Sequence, residues 1–198
     1  KFYADATAVS AAVIAGEIDA TSGITGINVD QVPFMESTAK QGVVNFETDP
    51  NAASFEMLYL NYYDPKDPTF KTPHPVLGDY AVRKAIALAL DRQQMVDTIF
   101  FGGSKVVEQP QLPQMMSYDE SAGSLAFDPD AATKLLEEAG WVDTDGDGIR
   151  EKNGVKASVT YITTSGSTPR QRAAQIIQAS LGAIGIEVVL NFQPSSVV

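Results

Sequence analysis

The 198-residue chain has no cysteine and only one histidine, His74. Thiol catalysis, disulfides and paired-Cys or paired-His metal motifs are therefore excluded, while the redox compartment stays undecided. Basic residues are scarce, with 14 Lys and Arg against 25 Asp and Glu and a formal net charge of -11 at pH 7. That sign is wrong for a surface that must gather phosphates, so no nucleic-acid partner is expected. No apolar run approaches the roughly 20 residues that span a bilayer, and no basic-then-apolar signal segment opens the chain. It reads as soluble, with membrane attachment only through an anchor outside it. A Gly-x-Ser-x-Gly elbow and a Gly-Lys-Ser/Thr phosphate loop are also missing, which leaves nucleophilic hydrolysis and nucleotide binding without their usual residues. The chain starts at Lys1 rather than Met and stops two residues after Ser196, straight out of a strand-like run. Both ends read as cut, so the missing signal peptide says nothing about export.

What is present suits an α/β globule: 44% of the residues are hydrophobic, and strand-like and helix-like patterns alternate. Ala6 to Ala15 reads as a buried helix stopped by Gly16, and Ile18 to Ile24 as a short strand. Asn28 caps a helix reaching about Lys40, and Val43 to Glu47 and Phe55 to Tyr62 read as further strands. A Pro-rich connection follows to Gly78. Asp79 caps a helix with Val82, Ile86, Ala89 and Leu90 on one face, and Asp91 opens a second one to Phe101. An extended segment, Gln109 to Ser117, contains Pro110 and Pro113. Asp128-Pro129 starts a helix that Gly140 ends. The last third predicts a strand over Val155 to Thr163, a helix opened by a Thr168-Pro169-Arg170-Gln171 capping box and closed by Gly185, and a strand from Ile186 to Phe192. Strand, helix and strand with short connections predict a right-handed βαβ unit with parallel pairing.

Two loops carry candidate chemistry. In the first, Asp143, Asp145 and Asp147 alternate before Gly148, as in the opening of a calcium loop. The twelfth position counted from Asp143 is Gly154 rather than Glu, and a strand follows instead of a helix, so Glu151 is the available late carboxylate. A plain turn built on two Asp-Gly pairs explains the same residues without a metal. The second loop, Thr163-Thr164-Ser165-Gly166-Ser167-Thr168, joins a strand's carboxyl end to a helix's amino end, where open α/β sheets bind ligands. Its hydroxyls and free N–H groups can receive an anion or a peptide carboxylate, and a polar loop with a helix cap is the equal alternative.

Other residues invite plainer readings. His74 lies between prolines and reads as an exposed loop residue. Glu137 and Glu138 read as solvated charge on a helix whose other face is core. Asp79 and Arg83 are spaced for a local helix ion pair, and Trp141 is placed to pack over the end of the preceding helix.

The ordered series Asp79-Tyr80-Ala81-Val82-Arg83-Lys84-Ala85-Ile86-Ala87-Leu88-Ala89-Leu90-Asp91-Arg92, Gly102, Pro113, Phe127-Asp128-Pro129, Ala131-Ala132, Leu135-Leu136 and Glu138-Ala139-Gly140-Trp141 resembles the extracellular solute-binding proteins of family 5. Ala15-Gly16-Glu17-Ile18-Asp19, Ile177-Gln178, Leu181 and Ile184-Gly185-Ile186-Glu187-Val188 fit the same pattern. The resemblance covers nearly the whole chain. It implies one α/β lobe of the type II periplasmic-binding-protein fold, a mixed sheet with flanking helices, in a protein that closes two lobes around its solute. Residues 1–62 would lie near the hinge, 63–78 would form the Pro-rich connection, and 79–198 the helical and βαβ part. The implied function is the substrate-binding component of an ABC transporter importing peptides or a related solute, without enzymatic activity. The implied setting is the periplasmic or extracellular face of the envelope, with permease subunits as partners and a monomeric state. Tyr59 and Asn61 would enter the cleft region, and Thr163, Thr164 and Ser165 would line it. No cofactor is required on this reading, and calcium at Asp143, Asp145, Asp147 and Glu151 is an optional reinforcement. The rival readings are a calcium-stabilised α/β module and a metal-dependent hydrolase using the acidic loop.

Overall fold

The computed structural model describes residues 1–21, 27–47, 55–111, 115–119 and 121–197. In chain order the elements are α1 (Ala6–Ile14), a 3-10 turn (Val29–Gln31), α2 (Val32–Lys40), α3 (Tyr80–Ala89), α4 (Arg92–Ile99), α5 (Pro129–Glu138), β1 (Glu151–Lys152), β2 (Val155–Lys156), β3 (Ser158–Thr164), α6 (Thr168–Gly182) and β4 (Glu187–Gln193). They fall into two compact units, residues 1–52 with 93–106, and residues 53–92 with 107–198.

The first unit is helical. Asp5 caps α1 by accepting the Ala8 N–H, and Gly16 supplies the positive φ that ends it. Its buried residues include Ala12 from α1, Val32 and Met35 from α2, and Val96 and Ile99 from α4. Among the described residues the strands anticipated here do not appear: Ile18 to Thr21 and Val43 to Glu47 carry no ladder, and Ser22, Gly23 and Ile24 lie outside the described residues. β-branched residues favour an extended chain, but a strand exists only where a partner completes its hydrogen bonds.

The second unit carries the βαβ core. Strands β3 and β4 pair in parallel from Ser158↔Glu187 to Thr164↔Gln193, with α6 packed against both. Ala174, Ile177 and Leu181 of α6 are buried, as are Ile184, Ile186 and Val188 beyond it. Helix α3 buries Val82, Ala85, Ile86 and Ala89 and packs against α5, whose Ala132 and Leu136 have no exposed surface. The caps read from the sequence at Asp79 and Asp128 are present, each accepting a backbone N–H of the first helical turn.

Several expectations need correction. The strand predicted as one run from Val155 is two: Val155 and Lys156 turn back onto Glu151 and Lys152 as an antiparallel hairpin, and the parallel strand starts at Ser158. The break falls at Ala157, fully buried, whose N–H donates to Arg150 and whose carbonyl accepts from Glu187. Helix α6 is capped by Ser167 rather than Thr168, which puts Pro169 where no N–H is needed. Phe55 to Tyr62 forms no strand; only at its end does Tyr62 O accept the His74 N–H at 2.8 Å, beside an isolated bridge between Tyr63 and Pro73. Of the segment from Gln109 to Ser117, Pro113 lies outside the described residues.

Gly185 shows how tightly this unit closes. At φ +83° it takes a conformation that side chains disfavour, and a Cβ there would come within 2.6 Å of Arg150 Cγ. The Arg150 side chain needs that space: its Nε donates to Ile184 O at 2.9 Å, Nη1 to Trp141 O at 2.9 Å and Nη2 to Glu137 at 3.1 Å. One guanidinium thus ties the end of α5 and the α6–β4 turn to the hairpin. Glu137, read above as solvated charge, is one of its partners, while Glu138 makes an exposed pair with Lys134.

Candidate functional site

The acidic loop folds around its own carboxylates. Asp143 accepts the N–H groups of Gly146 at 2.8 Å and Gly148 at 3.0 Å, Asp145 that of Asp147 at 3.2 Å, and Asp147 that of Ile149 at 2.9 Å. Gly146 and Gly148 both take positive φ, as expected of Asp-Gly turns. Glu151 Oε1 closes the loop by accepting the Thr144 N–H at 2.8 Å and the Thr144 hydroxyl. Ligand-capable oxygens of Asp143, Asp145 and Glu151 lie within 4.8 Å of one another. Asp147 is not among them, and the Lys156 ammonium reaches it and also Asp145 at 3.1 Å. The Lys156 hydrogen bond holds the Asp147 carboxyl below its ordinary range, and the two aspartates raise the lysine. An ammonium therefore already meets part of this loop's demand for a cation. Glu151 Oε2 is inaccessible and has no hydrogen-bond partner.

Behind the loop, Trp141 anchors the hairpin. It is 2% exposed, and its indole N–H donates to Asp79 Oδ2 at 3.1 Å. Lys152 Nζ reaches the same oxygen at 2.9 Å, which ties β1 to the amino end of α3. Burial opposes ionisation of Asp79, but the hydrogen bonds from Lys152, Trp141 and the Ala81 N–H outweigh it and hold the carboxyl below its ordinary range. The Asp79–Arg83 pair expected from spacing does not form. Arg83 instead donates to the carbonyls of Leu77 and Gly78 and stacks over Tyr62, 4.3 Å from the ring centroid. This arrangement leaves Asp79 for partners 62 and 73 residues further along the chain.

His74 also differs from its reading as an exposed loop residue. It is half-buried, and its Nδ1 accepts the N–H groups of Val76 at 3.1 Å and Leu77 at 2.9 Å. Burial lowers its pKa, with Asp64 opposing the shift, so the imidazole is held as a neutral acceptor that shapes the turn before α3.

At the other end of β3, Thr163 and Thr164 are buried, 6% and 7% exposed, while Ser165 is exposed and its N–H donates to Gln193 O. Tyr59 is 82% exposed, and Asn61 accepts the Tyr63 N–H at 3.2 Å. What joins these two stretches is a pair that sequence reasoning missed. Arg170, in the first turn of α6, grips Glu56 with Nε at 3.1 and 3.2 Å from its two oxygens and Nη2 at 2.7 Å. Its Nη1 lies 3.3 Å from Thr164 Oγ1. Arg170 reads locally as an ordinary helix residue, and Glu56 is 114 positions away. Only the fold brings them together.

Comparison with known proteins matches residues 1–198 to the family described as bacterial extracellular solute-binding proteins, family 5 Middle. The oligopeptide-binding protein AppA of Bacillus subtilis (strain 168) is 32% identical over 190 residues, which cover 95% of this chain and 32% of AppA. The nickel-binding periplasmic protein of Escherichia coli (strain K12) is 32% identical over 136 residues, 68% of this chain and 24% of that protein. Among solved structures, NikA from Brucella suis in complex with Fe(III)-EDTA superposes with a TM-score of 0.77 at 29% identity, covering all of this chain and 37% of NikA. AppA in complex with a nonapeptide gives a TM-score of 0.59 at 30% identity, covering 86% of this chain and 36% of AppA. The chain thus spans about a third or less of the curated relatives it matches.

Proposed function

The chain belongs to the bacterial extracellular solute-binding proteins of family 5, and from that membership we propose that it is one lobe of the substrate-binding component of an ABC importer for peptides or a related solute. The observation that carries this reading is the family match across residues 1–198. The match to an oligopeptide-binding protein over 95% of the chain favours a peptide-like solute. Both relatives described above are named as binding proteins, which supports a non-catalytic role over the hydrolase alternative. The full-length protein works at the periplasmic or extracellular face, hands its solute to permease subunits, and is a monomer.

In this reading two lobes close over the solute and share its contacts. Tyr59 and Asn61 line the cleft on one stretch, with Thr163, Thr164 and Ser165 on the other. The exposed Tyr59 ring suits stacking against a solute, and Ser165 offers an exposed hydroxyl. Isothermal calorimetry against a peptide library tests closure. The full-length protein is expected to bind, and residues 1–198 alone to bind at least about tenfold more weakly because half the contacts and the exclusion of water are missing. Equal affinity of the two would overturn closure.

A second reading concerns the acidic loop: calcium reinforces a turn that already stands without it. Two observations favour it: a Glu151 oxygen lies within 4.8 Å of oxygens of Asp143 and Asp145, and Glu151 Oε2 has no hydrogen-bond partner. Calcium would supply that oxygen with a partner and would compete with Lys156 for Asp145. A melting temperature about 2–4 °C higher in calcium than in chelator is expected, the shift produced by roughly 1 kcal/mol of ligand stabilisation in a domain of this size. An unchanged melting temperature would remove calcium from the account.

A further inference from the structure

We infer that His74 is a pH-sensitive latch: the neutral imidazole holds closed the turn before α3, and protonation opens that turn and frees the stretch that carries Tyr59 and Asn61. The latch itself stands on the fold alone, while its consequence for solute affinity rests on the binding-protein reading above.

His74 Nδ1 accepts two backbone N–H groups at once, those of Val76 at 3.1 Å and Leu77 at 2.9 Å. Both residues are buried, 2% and 8% exposed, so water is poorly placed to replace the imidazole. A side chain that accepts from the N–H groups just ahead of it is usually Asp, Asn, Ser or Thr, none of which changes protonation near neutral pH. Histidine makes the same contact titratable. The imidazolium carries a proton on both nitrogens, and turning the ring over brings only a carbon to the same place. No orientation of the cation therefore offers an acceptor to these two donors. The turn has little room to adapt, because the Gly78 N–H donates to His74 O at 2.9 Å and a Cβ on Gly78 would come within 2.5 Å of that oxygen.

Charged groups reach this turn from two sides. From the preceding loop, Asp64 favours the cation but is outweighed by burial, so the folded-state value lies below the ordinary 6.5. Asp67 of that loop is taken up by Thr69 and Thr72. From α3, Arg83 already places a guanidinium on the carbonyls of Leu77 and Gly78, and Asp79 is engaged by Lys152 and Trp141. The stabilisation that the latch contributes is thus complete above about pH 6.5 and is lost as pH falls through the lower, folded-state value.

Two tethers carry the opening to the cleft stretch. The His74 N–H donates to Tyr62 O at 2.8 Å, and Arg83, fixed by the carbonyls of the turn, stacks over the Tyr62 ring 4.3 Å from its centroid. Tyr59 and Asn61 lie just before this anchored residue. Opening the turn slackens both tethers and leaves the two proposed cleft residues less well positioned.

Hydrogen–deuterium exchange of the full-length protein, read by mass spectrometry at about pH 7.5 and about pH 5, tests the latch. After correction for the intrinsic effect of pH on exchange, protection of the Val76 and Leu77 amides in wild type is expected to fall about tenfold in acid. His74→Asn supplies an acceptor that does not titrate, so it should keep that protection at both pH values, and His74→Ala should lack it at both. Peptide affinity measured by calorimetry in the same buffers should weaken several-fold in acid for wild type and stay level for His74→Asn. Protection in wild type that ignores pH, or an equal acid loss in His74→Asn, would overturn the latch. Loss of protection with unchanged peptide affinity would overturn its link to the cleft. A folded wild type that binds no peptide at either pH would overturn the peptide reading, and the exchange data would still decide the latch.

Discussion

Replacing Trp141 by alanine is expected to lower the unfolding free energy by about 3–5 kcal/mol, seen as a lower urea midpoint at an almost unchanged slope. The size follows from position. The residue comes directly after the Gly140 stop of α5, its N–H donates to Leu136 O, and its ring is 2% exposed. Removing the ring empties a volume between helix and hairpin that the surrounding backbone cannot close. It also leaves Asp79 without the indole donor at 3.1 Å. Trp141→Phe separates the two contributions: it keeps most of the burial, loses the N–H, and should cost about 1 kcal/mol for the hydrogen bond plus a smaller packing loss. An alanine variant that loses less than the phenylalanine variant would show that the ring is not what holds the hairpin down.

Asp79→Ala should destabilise by about 2–4 kcal/mol at neutral pH, which combines a lost helix cap with the loss of a partly buried charge partner. Three donors converge on this carboxylate: the Ala81 N–H, the indole of Trp141 and the ammonium of Lys152. Its pH dependence identifies the charged contribution. The folded-state pKa lies below the ordinary carboxylate value of 3.8. The stabilisation is therefore fully present above that value and is lost as pH falls through the lower, folded-state pKa. Urea titrations of wild type and variant should diverge by a constant amount from neutral pH down to about pH 5, then converge in more acid solution. A gap that stays constant into acid would assign the effect to the cap alone.

Helices were legible in the sequence because their signals are local. Asp79, Asp128 and Gly140 mark boundaries through groups one to four residues away, and the structure puts boundaries there. The parallel β3–β4 pair was legible for a related reason, since alternating Ile186, Val188 and Leu190 lie close in sequence to the helix that must cover them. Strands that depend on distant partners were not. Val43 to Glu47 and Phe55 to Tyr62 have strand composition, but composition cannot supply a neighbour. The turn at Ala157 was hidden because a hairpin and a parallel strand share one continuous β-favouring run. Charge pairing misled at Asp79, where helical spacing pointed to Arg83 and burial selected Trp141 and Lys152. Around the candidate cleft, the hydroxyl loop announces itself by composition, whereas Glu56 and Arg170 are individually unremarkable and acquire a role only through long-range folding.

The register of β3 against β4 bears on how such a loop can diversify over evolutionary time. Thr163 faces Phe192 and Thr164 faces Gln193 across the ladder, and α6 and the Gly185 turn lie between those strands. One residue gained or lost inside α6 would rotate its Ala174, Ile177 and Leu181 face away from the sheet or shift β4 by one step, turning its inward side chains outward. Within this β–α–β framework the exposed Ser165-Gly166 turn is where a change of length would disturb the buried face least.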